Sequence, residues 1–160
     1  SPAADLGVSE AHLAAVRKGL FDVINAKRGT AFGSRVVDDS MVIAGKTGTS
    51  QVRNITAAER ARGVISNEDL PWERRDHALF VCFGPYAAPR IAVAVVVEHG
   101  GGGSAVAAPI ARDIILEALN GGPPPLTAYP ESQRTRIEAE RNELKLMEFS
   151  PDDSKGQTRA

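Results

Sequence analysis

The sequence contains little of what defines several large classes of protein. A single cysteine in 160 residues excludes an internal disulfide bond. A formal net charge of −1 gives no indication of a basic surface for nucleic acid or for an anionic membrane. No run of residues approaches the roughly 20 apolar positions of a membrane-spanning helix. The composition therefore predicts one globular domain, or most of one, followed by a polar end.

The most informative feature is a short polar segment at the end of an apolar run. Residues 41–45 are followed directly by Lys46-Thr47-Gly48-Thr49-Ser50. On a β-strand alternate side chains share a face, so the lysine and the glycine lie on one side and the two threonines on the other. A cation, hydroxyls and unpaired backbone N–H groups at a strand edge suit an anionic or acyl substrate. The glycine lets such a substrate approach the backbone closely.

Three interpretations of this segment compete. A buried strand that ends in a polar turn would need no function at all. A phosphate-binding P-loop also ends in Gly-Lys-Thr, but it requires a glycine five positions before Gly45, where Ser40 stands. The third interpretation is the Lys-Thr-Gly box of serine acyl-transfer enzymes. The residues that follow the box favour this third interpretation.

The pattern of apolar residues predicts helices packed against an antiparallel sheet, an α+β fold. A helix begins at the N-cap Ser9 and ends at Gly29. Residues 78–84 and 90–98 are two strands joined by a short connection with two prolines, which fits a hairpin-type loop. The second strand is apolar at nearly every position, so we expect both of its faces to be covered. A closing helix is predicted from Ser104 to about Leu119.

These stretches, in this order, resemble the C-terminal part of the transpeptidase domain of class B penicillin-binding proteins of the cell-elongation type. The resemblance spans roughly residues 6 to 119. It is carried by residues 44–52 (AGKTGTSQV), 76–80 (DHALF), 83–86 (FGPY), 91–95 (IAVAV), 97–101 (VEHGG) and 107–111 (AAPIA). The fold implied is that of penicillin-binding proteins and serine β-lactamases, an antiparallel sheet covered by helices.

The resemblance implies a peptidoglycan D,D-transpeptidase, an enzyme without a metal or other cofactor. In this family a serine attacks the penultimate D-Ala carbonyl of a stem peptide, D-Ala leaves, and an amine of a neighbouring stem resolves the acyl-enzyme into a cross-link. β-Lactams mimic D-Ala-D-Ala and acylate the same serine. The partners implied are peptidoglycan stem peptides, β-lactam antibiotics and the membrane-bound elongation machinery. The location implied is the periplasmic face of the inner membrane.

Roles in the box carry over from the family residue by residue. Lys46 is implied as the catalytic cation. Thr47, Gly48, Thr49 and Ser50 are implied as substrate-binding residues, with the hydroxyl of Thr49 for the substrate carboxylate and its N–H for the oxyanion. Thr47 is expected to support the far face of the strand. Period-two alternation sets Thr49 opposite Lys46, a conflict that a twist or bulge at Gly48 would remove.

The nucleophile of the family is missing from the chain. No serine is followed by lysine three positions later, and no Ser-x-Asn occurs. In the family both motifs precede the box, so we expect the chain to begin inside the domain and to be inert alone. Its partner would be the upstream part of the domain, which would also carry the membrane anchor. The alternatives are a serine β-lactamase or β-lactam sensor, and a non-catalytic binding module of the same fold.

The remaining segments carry weaker signals. We assign residues 1–120 to the transpeptidase segment and 121–160 to a Pro/Gly linker and a charged, disordered tail, with a short exposed helix within 131–145. The polar stretch 53–76 is predicted to be a loop with a helical turn near 56–62, and it is a candidate wall of the substrate groove. Cys82 is expected to be a buried small hydrophobe.

Overall fold

The computed structural model describes residues 7–143 and has the α+β architecture that the sequence predicts. Three antiparallel strands form one sheet in the order β1-β2-β3. The helices and strands are α1 (Glu10–Asn25), β1 (Ala44–Ser50), α2 (Ala57–Arg62), β2 (His77–Gly84), β3 (Ile91–Val97), α3 (Ala108–Asn120) and α4 (Glu131–Glu143).

Helix α1 begins at the predicted cap but ends one turn earlier than expected. The side chain of Ser9 accepts a hydrogen bond from the N–H of His12 at 3.4 Å. The chain becomes extended at Ala26 (φ −79°, ψ 141°), so residues 27 and 28 lie outside the helix. A Cβ on Gly29 would lie 2.3 Å from the carbonyl oxygens of Asp22 and Val23. The turn after α1 therefore folds back tightly on the helix, and only glycine fits there.

The closing helix starts later than the sequence predicts. Residues Gly103–Ala107 form a π-helical turn, and the α-helix begins at Ala108. A Cβ on Gly103 would lie 2.3 Å from the carbonyl oxygen of Gly48 and 2.4 Å from that of Leu79. The start of the helix is thus pressed against the backbone of β1 and β2. That contact sets its geometry, and cap residues alone do not reveal it.

The sheet has one covered face and one partly open face. Ala78, Phe80 and Cys82 alternate along β2 and are buried on the face that α3 covers. On the other face Val81 of β2 is 51% exposed and Val96 of β3 is 62% exposed. The prediction that both faces of β3 are covered is therefore wrong for the part of the chain that the structure describes.

The segment after α3 is more ordered than the linker and tail that we predicted. Helix α4 lies within the range expected for a short helix. Tyr129 is 2% exposed and Ile137 is 5% exposed, and both belong to the main hydrophobic core. The N–H of Val37 donates to the carbonyl of Ala128 at 2.9 Å. Burial of one aromatic ring thus docks residues 126–137 on the body, while residues 144–160 lie outside the described residues.

Candidate active-site strand

Strand β1 carries the whole Lys-Thr-Gly box and lies at the edge of the sheet. Its pairing with β2 advances by one residue at a time from Ala44 opposite Phe83 to Ser50 opposite His77. The register is unbroken at Gly48, so the bulge suggested for that position is absent. Lys46, Gly48 and Ser50 therefore share one face of the strand, and the two threonines share the other.

The outer edge of β1 presents backbone groups that β2 does not use. Lys46 Nζ donates to the carbonyl oxygen of Thr47 at 2.7 Å, and Asn25 Nδ2 donates to that of Ile43 at 3.0 Å. In an antiparallel ladder the N–H and C=O of a residue point the same way, and the direction alternates along the strand. This alternation directs the N–H and C=O of Thr49 to the same outer edge. A ligand lying along this edge can meet them without a bulge.

Lys46 is exposed and lines a shallow pocket of about 350 Å³ beside the end of α1. The other lining residues include Asp22 of α1, Arg28 and Thr30. Asp22 is already paired with Lys18 at 2.5 Å. Within residues 7–143 no carboxylate forms an ion pair with Lys46. The ammonium group therefore remains available to an incoming anion.

One neighbour of the box, Thr30, was not predicted from the sequence. Its Oγ1 lies 3.1 Å from Oγ1 of Thr47, and the two residues are 17 positions apart. Thr30 follows Gly29, the residue at which the helix pattern predicted the end of α1; the helix itself ends at Asn25. The proximity itself depends on how α1 packs along β1, and a one-dimensional pattern does not contain that information.

The backbone of Gly48 is closely packed against its neighbours. A Cβ on Gly103 would lie 3.1 Å from the amide nitrogen of Gly48, so the π-helical turn touches the strand backbone there. A Cβ on Gly48 itself would lie 3.2 Å from Cβ of Leu79. These close approaches hold β1 between its neighbours in the middle of the box. That Gly48 lets a substrate approach the backbone closely stays a prediction.

The end of the loop between β1 and β2 is hydrogen-bonded to the end of β1 and to the turn after β3. The backbone N–H of Asp76 donates to Asn67 Oδ1 at 2.8 Å, and Asn67 Nδ2 donates to Asp76 Oδ2 at 3.4 Å. The carbonyl of Asp76 accepts from Gly101 N at 2.8 Å, and its Oδ1 accepts from Val52 N at 3.4 Å. Asp76 thus joins the end of β1, the loop and the glycine turn after β3.

An ion pair organises the first half of the same loop. The terminal nitrogens Nη1 and Nη2 of Arg53 each donate to one carboxylate oxygen of Glu59 at 2.7 Å. These hydrogen bonds hold the pKa of Glu59 below its usual range and raise the pKa of Arg53. Helix α2, capped by Thr56, fills the position where the sequence predicts a helical turn. The first half of the loop therefore has regular secondary structure beside the box.

Two histidines and a tryptophan meet beyond the far end of β1. His77, the register partner of Ser50, accepts the backbone N–H of His99 on Nδ1 at 2.9 Å. The ring of Trp72 lies 4.3 Å from that of His99 and is 56% exposed, whereas Leu70 is 7% exposed. Leu70 rather than Trp72 is therefore the buried anchor of this loop.

Cys82 lies on the covered face of β2, opposite Gly45. It is 4% exposed, and burial raises the pKa of its thiol to about 12. The thiol is therefore protonated and packs as a small apolar side chain, as the sequence predicts. Among the described residues, no group of three or more His, Cys, Asp or Glu side chains could hold a metal ion.

An edge strand with a lysine, a glycine and hydroxyls, backed by a sheet with a closing helix, defines the class of the protein. Residues 2–116 match the family described as the penicillin binding protein transpeptidase domain, and the chain belongs to this family. The resemblance drawn from the sequence is thereby confirmed.

Relatives of the elongation type are similar to this chain. The peptidoglycan D,D-transpeptidase MrdA of Haemophilus influenzae is 33% identical over 132 residues, which are 81% of this chain and 20% of the relative. MrdA of Acinetobacter baumannii is 42% identical over 99 residues, 59% of this chain and 13% of the relative. A solved complex between penicillin-binding protein 2 and MreC from Helicobacter pylori matches with a TM-score of 0.53 and 32% identity, covering 69% of this chain and 17% of that one. The chain therefore spans a fifth or less of each of these relatives.

Proposed function

We propose that this chain supplies the Lys-Thr-Gly strand of a peptidoglycan D,D-transpeptidase that cross-links stem peptides through a serine acyl-enzyme. The single observation that carries this function is the free outer edge of β1, on which the N–H of Thr49 and the ammonium of Lys46 are both available. A substrate peptide can lie along such an edge as an added strand. The H. influenzae and A. baumannii relatives, named D,D-transpeptidases, support the same reaction.

Each residue of the box has a part in this reaction. Lys46 provides positive charge beside the reacting serine, which favours loss of the serine proton. The N–H of Thr49 donates to the oxyanion that forms when the serine attacks the D-Ala carbonyl; a donor of this kind contributes about 10²- to 10³-fold in rate. The hydroxyl of Thr49 is exposed at the far end of the strand, where it can bind the substrate carboxylate. Ser50, also exposed, borders the substrate on the face that it shares with Lys46.

The hydroxyl of Thr47 has a different environment from that of Thr49. It is half-buried and bonded to Thr30, as expected for a residue that supports the strand. We assign it to the substrate site through the geometry it gives to Lys46 rather than through direct contact. Gly48 keeps the Lys46 face free of a side chain between Lys46 and Ser50.

The serine must come from a segment with the Ser-x-x-Lys motif, since these 160 residues do not contain one. A place for that segment exists on the partly open face of the sheet. An apolar depression of about 320 Å³ lies there, bordered by Leu20, Val81 and Phe83. Apolar surface of this kind is stabilised when another element covers it. The missing half of the domain would cover this face and present its serine to Lys46.

The partners and location follow from the same assignment. Peptidoglycan stem peptides are the substrates and β-lactams the inhibitors. The H. pylori structure contains penicillin-binding protein 2 with MreC, which supports a place for this chain in an elongation assembly at the periplasmic face of the inner membrane. No helix within residues 7–143 is both long and apolar enough to cross a bilayer.

Fluorescent penicillin tests the function directly. The full-length protein, meaning the polypeptide that carries both this chain and a Ser-x-x-Lys segment, should acquire a covalent label that persists for many minutes. The isolated chain should acquire none. Rapid loss of the label would instead identify a β-lactamase. Absence of label from a folded full-length protein would identify a non-catalytic module.

A further inference from the structure

Thr30 is connected to the Lys-Thr-Gly box by a side-chain contact that the reaction described above does not require. Among residues 7–143, it is the residue outside the box whose side chain hydrogen-bonds to a side chain within it, with 3.1 Å between the Oγ1 atoms of Thr30 and Thr47. Thr30 is exposed at the mouth of the pocket that Lys46 lines. Its hydroxyl is therefore at the wall of the groove and not in the core.

The backbone around Thr30 is held in one position. Gly29, immediately before it, lies so close to α1 that a Cβ would be 2.3 Å from the carbonyl oxygen of Val23. Immediately after it, the N–H of Ala31 donates to that same carbonyl at 2.9 Å, and Ala31 is 2% exposed. With both neighbours fixed against α1, the Thr30 hydroxyl is presented to β1 from a rigid turn.

Thr47 passes this constraint to the lysine. Lys46 Nζ lies 2.7 Å from the carbonyl oxygen of Thr47 and 3.5 Å from its Oγ1. A threonine hydroxyl has one proton and two lone pairs, so it can accept from Lys46 and still bond to Thr30. Because the side chain of threonine has few χ1 rotamers, a bond to Thr30 favours the one that keeps Oγ1 of Thr47 within reach of both Thr30 and Lys46.

We propose that Thr30 is a positioning residue for acyl transfer, which acts through Thr47 to hold the ammonium of Lys46 at the outer edge of β1. This inference rests on the function proposed above. It extends the working site beyond the box to the turn that follows α1.

The test compares Thr30→Val with Thr30→Ser in the full-length protein. Valine keeps the shape of threonine and removes the hydroxyl; serine keeps the hydroxyl. We expect Thr30→Val to lower the rate of acylation by fluorescent penicillin about fivefold, the size expected for one neutral hydrogen bond, and Thr30→Ser to retain the rate within about twofold. Thr135→Val on the exposed side of α4 is the matched control and should leave the rate unchanged.

A second comparison separates positioning from a general loss of structure. If Thr30 acts through Thr47, adding Thr30→Val to Thr47→Val should slow acylation no further than Thr47→Val alone. Additive losses, a wild-type rate for Thr30→Val, or equal damage by Thr30→Ser would each overturn the positioning role. An unlabelled wild-type protein would overturn the proposed function as well, so the two failures are distinguishable.

Discussion

The two faces of the sheet differ in what holds them. On the face covered by α3, Phe80 is 0% exposed and packs in a continuous hydrophobic core. On the opposite face Val81, the next residue along β2, is 51% exposed. The box lies at the boundary between them, on the edge strand β1. The chain therefore places its own core on one face and leaves the edge of β1 and the other face available to further structure.

The contrast between the two faces indicates that the stability of the fold and its proposed activity depend on separate residues. Lys46 is exposed at the edge of the sheet, whereas Phe80, which pairs with Thr47, points its side chain into the core and is fully buried. Substitutions on the covered face should change the free energy of unfolding, and substitutions on the box should change acylation. Four predictions test this separation.

Lys46→Ala should lower the rate of acylation of the full-length protein by about 10³-fold, because it removes the cation beside the nucleophile. The melting temperature should remain close to the wild-type value, since the side chain is exposed. Fluorescent penicillin labelling over time measures the rate. Lys27→Ala, at an exposed lysine just beyond α1, is the control. A Lys46→Ala protein that acylates normally would remove the box from the mechanism.

Phe80→Ala should destabilise the folded state by about 3–5 kcal/mol, the usual cost of truncating a fully buried aromatic side chain. Val81→Ala should cost less than about 1 kcal/mol, because half of that side chain is already in water. Urea unfolding of this chain, followed by circular dichroism, gives both values. Equal effects would show that the two faces are not distinct. A wild-type chain without a cooperative transition would show that one covered face is insufficient for folding.

Tyr129→Ala should destabilise the fold by about 3 kcal/mol and expose residues 121–143 to proteases, because the ring anchors this segment in the core. Arg112, itself 1% exposed, lies 4.7 Å from the ring centroid and would lose that contact. Tyr129→Phe removes only the bond from Arg141 to the hydroxyl, so it should cost about 1 kcal/mol. Limited proteolysis and urea unfolding test both variants. Equal protease sensitivity of Tyr129→Ala and wild type would contradict the docking of this segment.

Cys82 should make stability fall at alkaline pH. Burial raises its pKa to about 12 in the folded state, whereas the thiol of an unfolded chain has a pKa of about 8.5. Between these values the folded chain retains a proton that the unfolded chain has lost, so stability decreases as pH rises. From pH 7 to about 9.5 the loss should be about 1.4 kcal/mol relative to Cys82→Ala. The urea midpoints of wild type and Cys82→Ala at both pH values measure this loss. The same dependence of stability on pH in the two proteins would contradict a buried thiol.

Much of the fold was predictable from local pattern. The apolar run before Lys46, the runs of β2 and β3 and the helical spacing after Ser9 each depend on neighbouring residues in the chain, and each formed the element predicted. The family match over residues 2–116 confirmed the resemblance, and the three-stranded sheet with its helices confirmed the α+β class. The roles of Lys46, Thr49 and Ser50 remain predictions, because sequence and geometry place these groups without showing a bound substrate.

Other features could not be predicted because they arise from contacts between distant segments. The bond between Thr30 and Thr47 requires α1 to lie along β1. The π-helical turn at Gly103 packs so tightly on the sheet that a Cβ there would lie 2.3 Å from the carbonyl oxygen of Gly48. The docking of Tyr129 requires a site built by α3, so a segment that begins with glycines and prolines looked like a linker.

Short-range order in the chain was enough to define the strands, the helices and the position of the box, because alternation and capping involve residues within a few positions of one another. Tertiary packing decided which backbone edge is free, which face of the sheet is open and which side chain orients Thr47. These depend on where whole elements meet, and close packing at Gly29, Gly48 and Gly103 allows only one such arrangement.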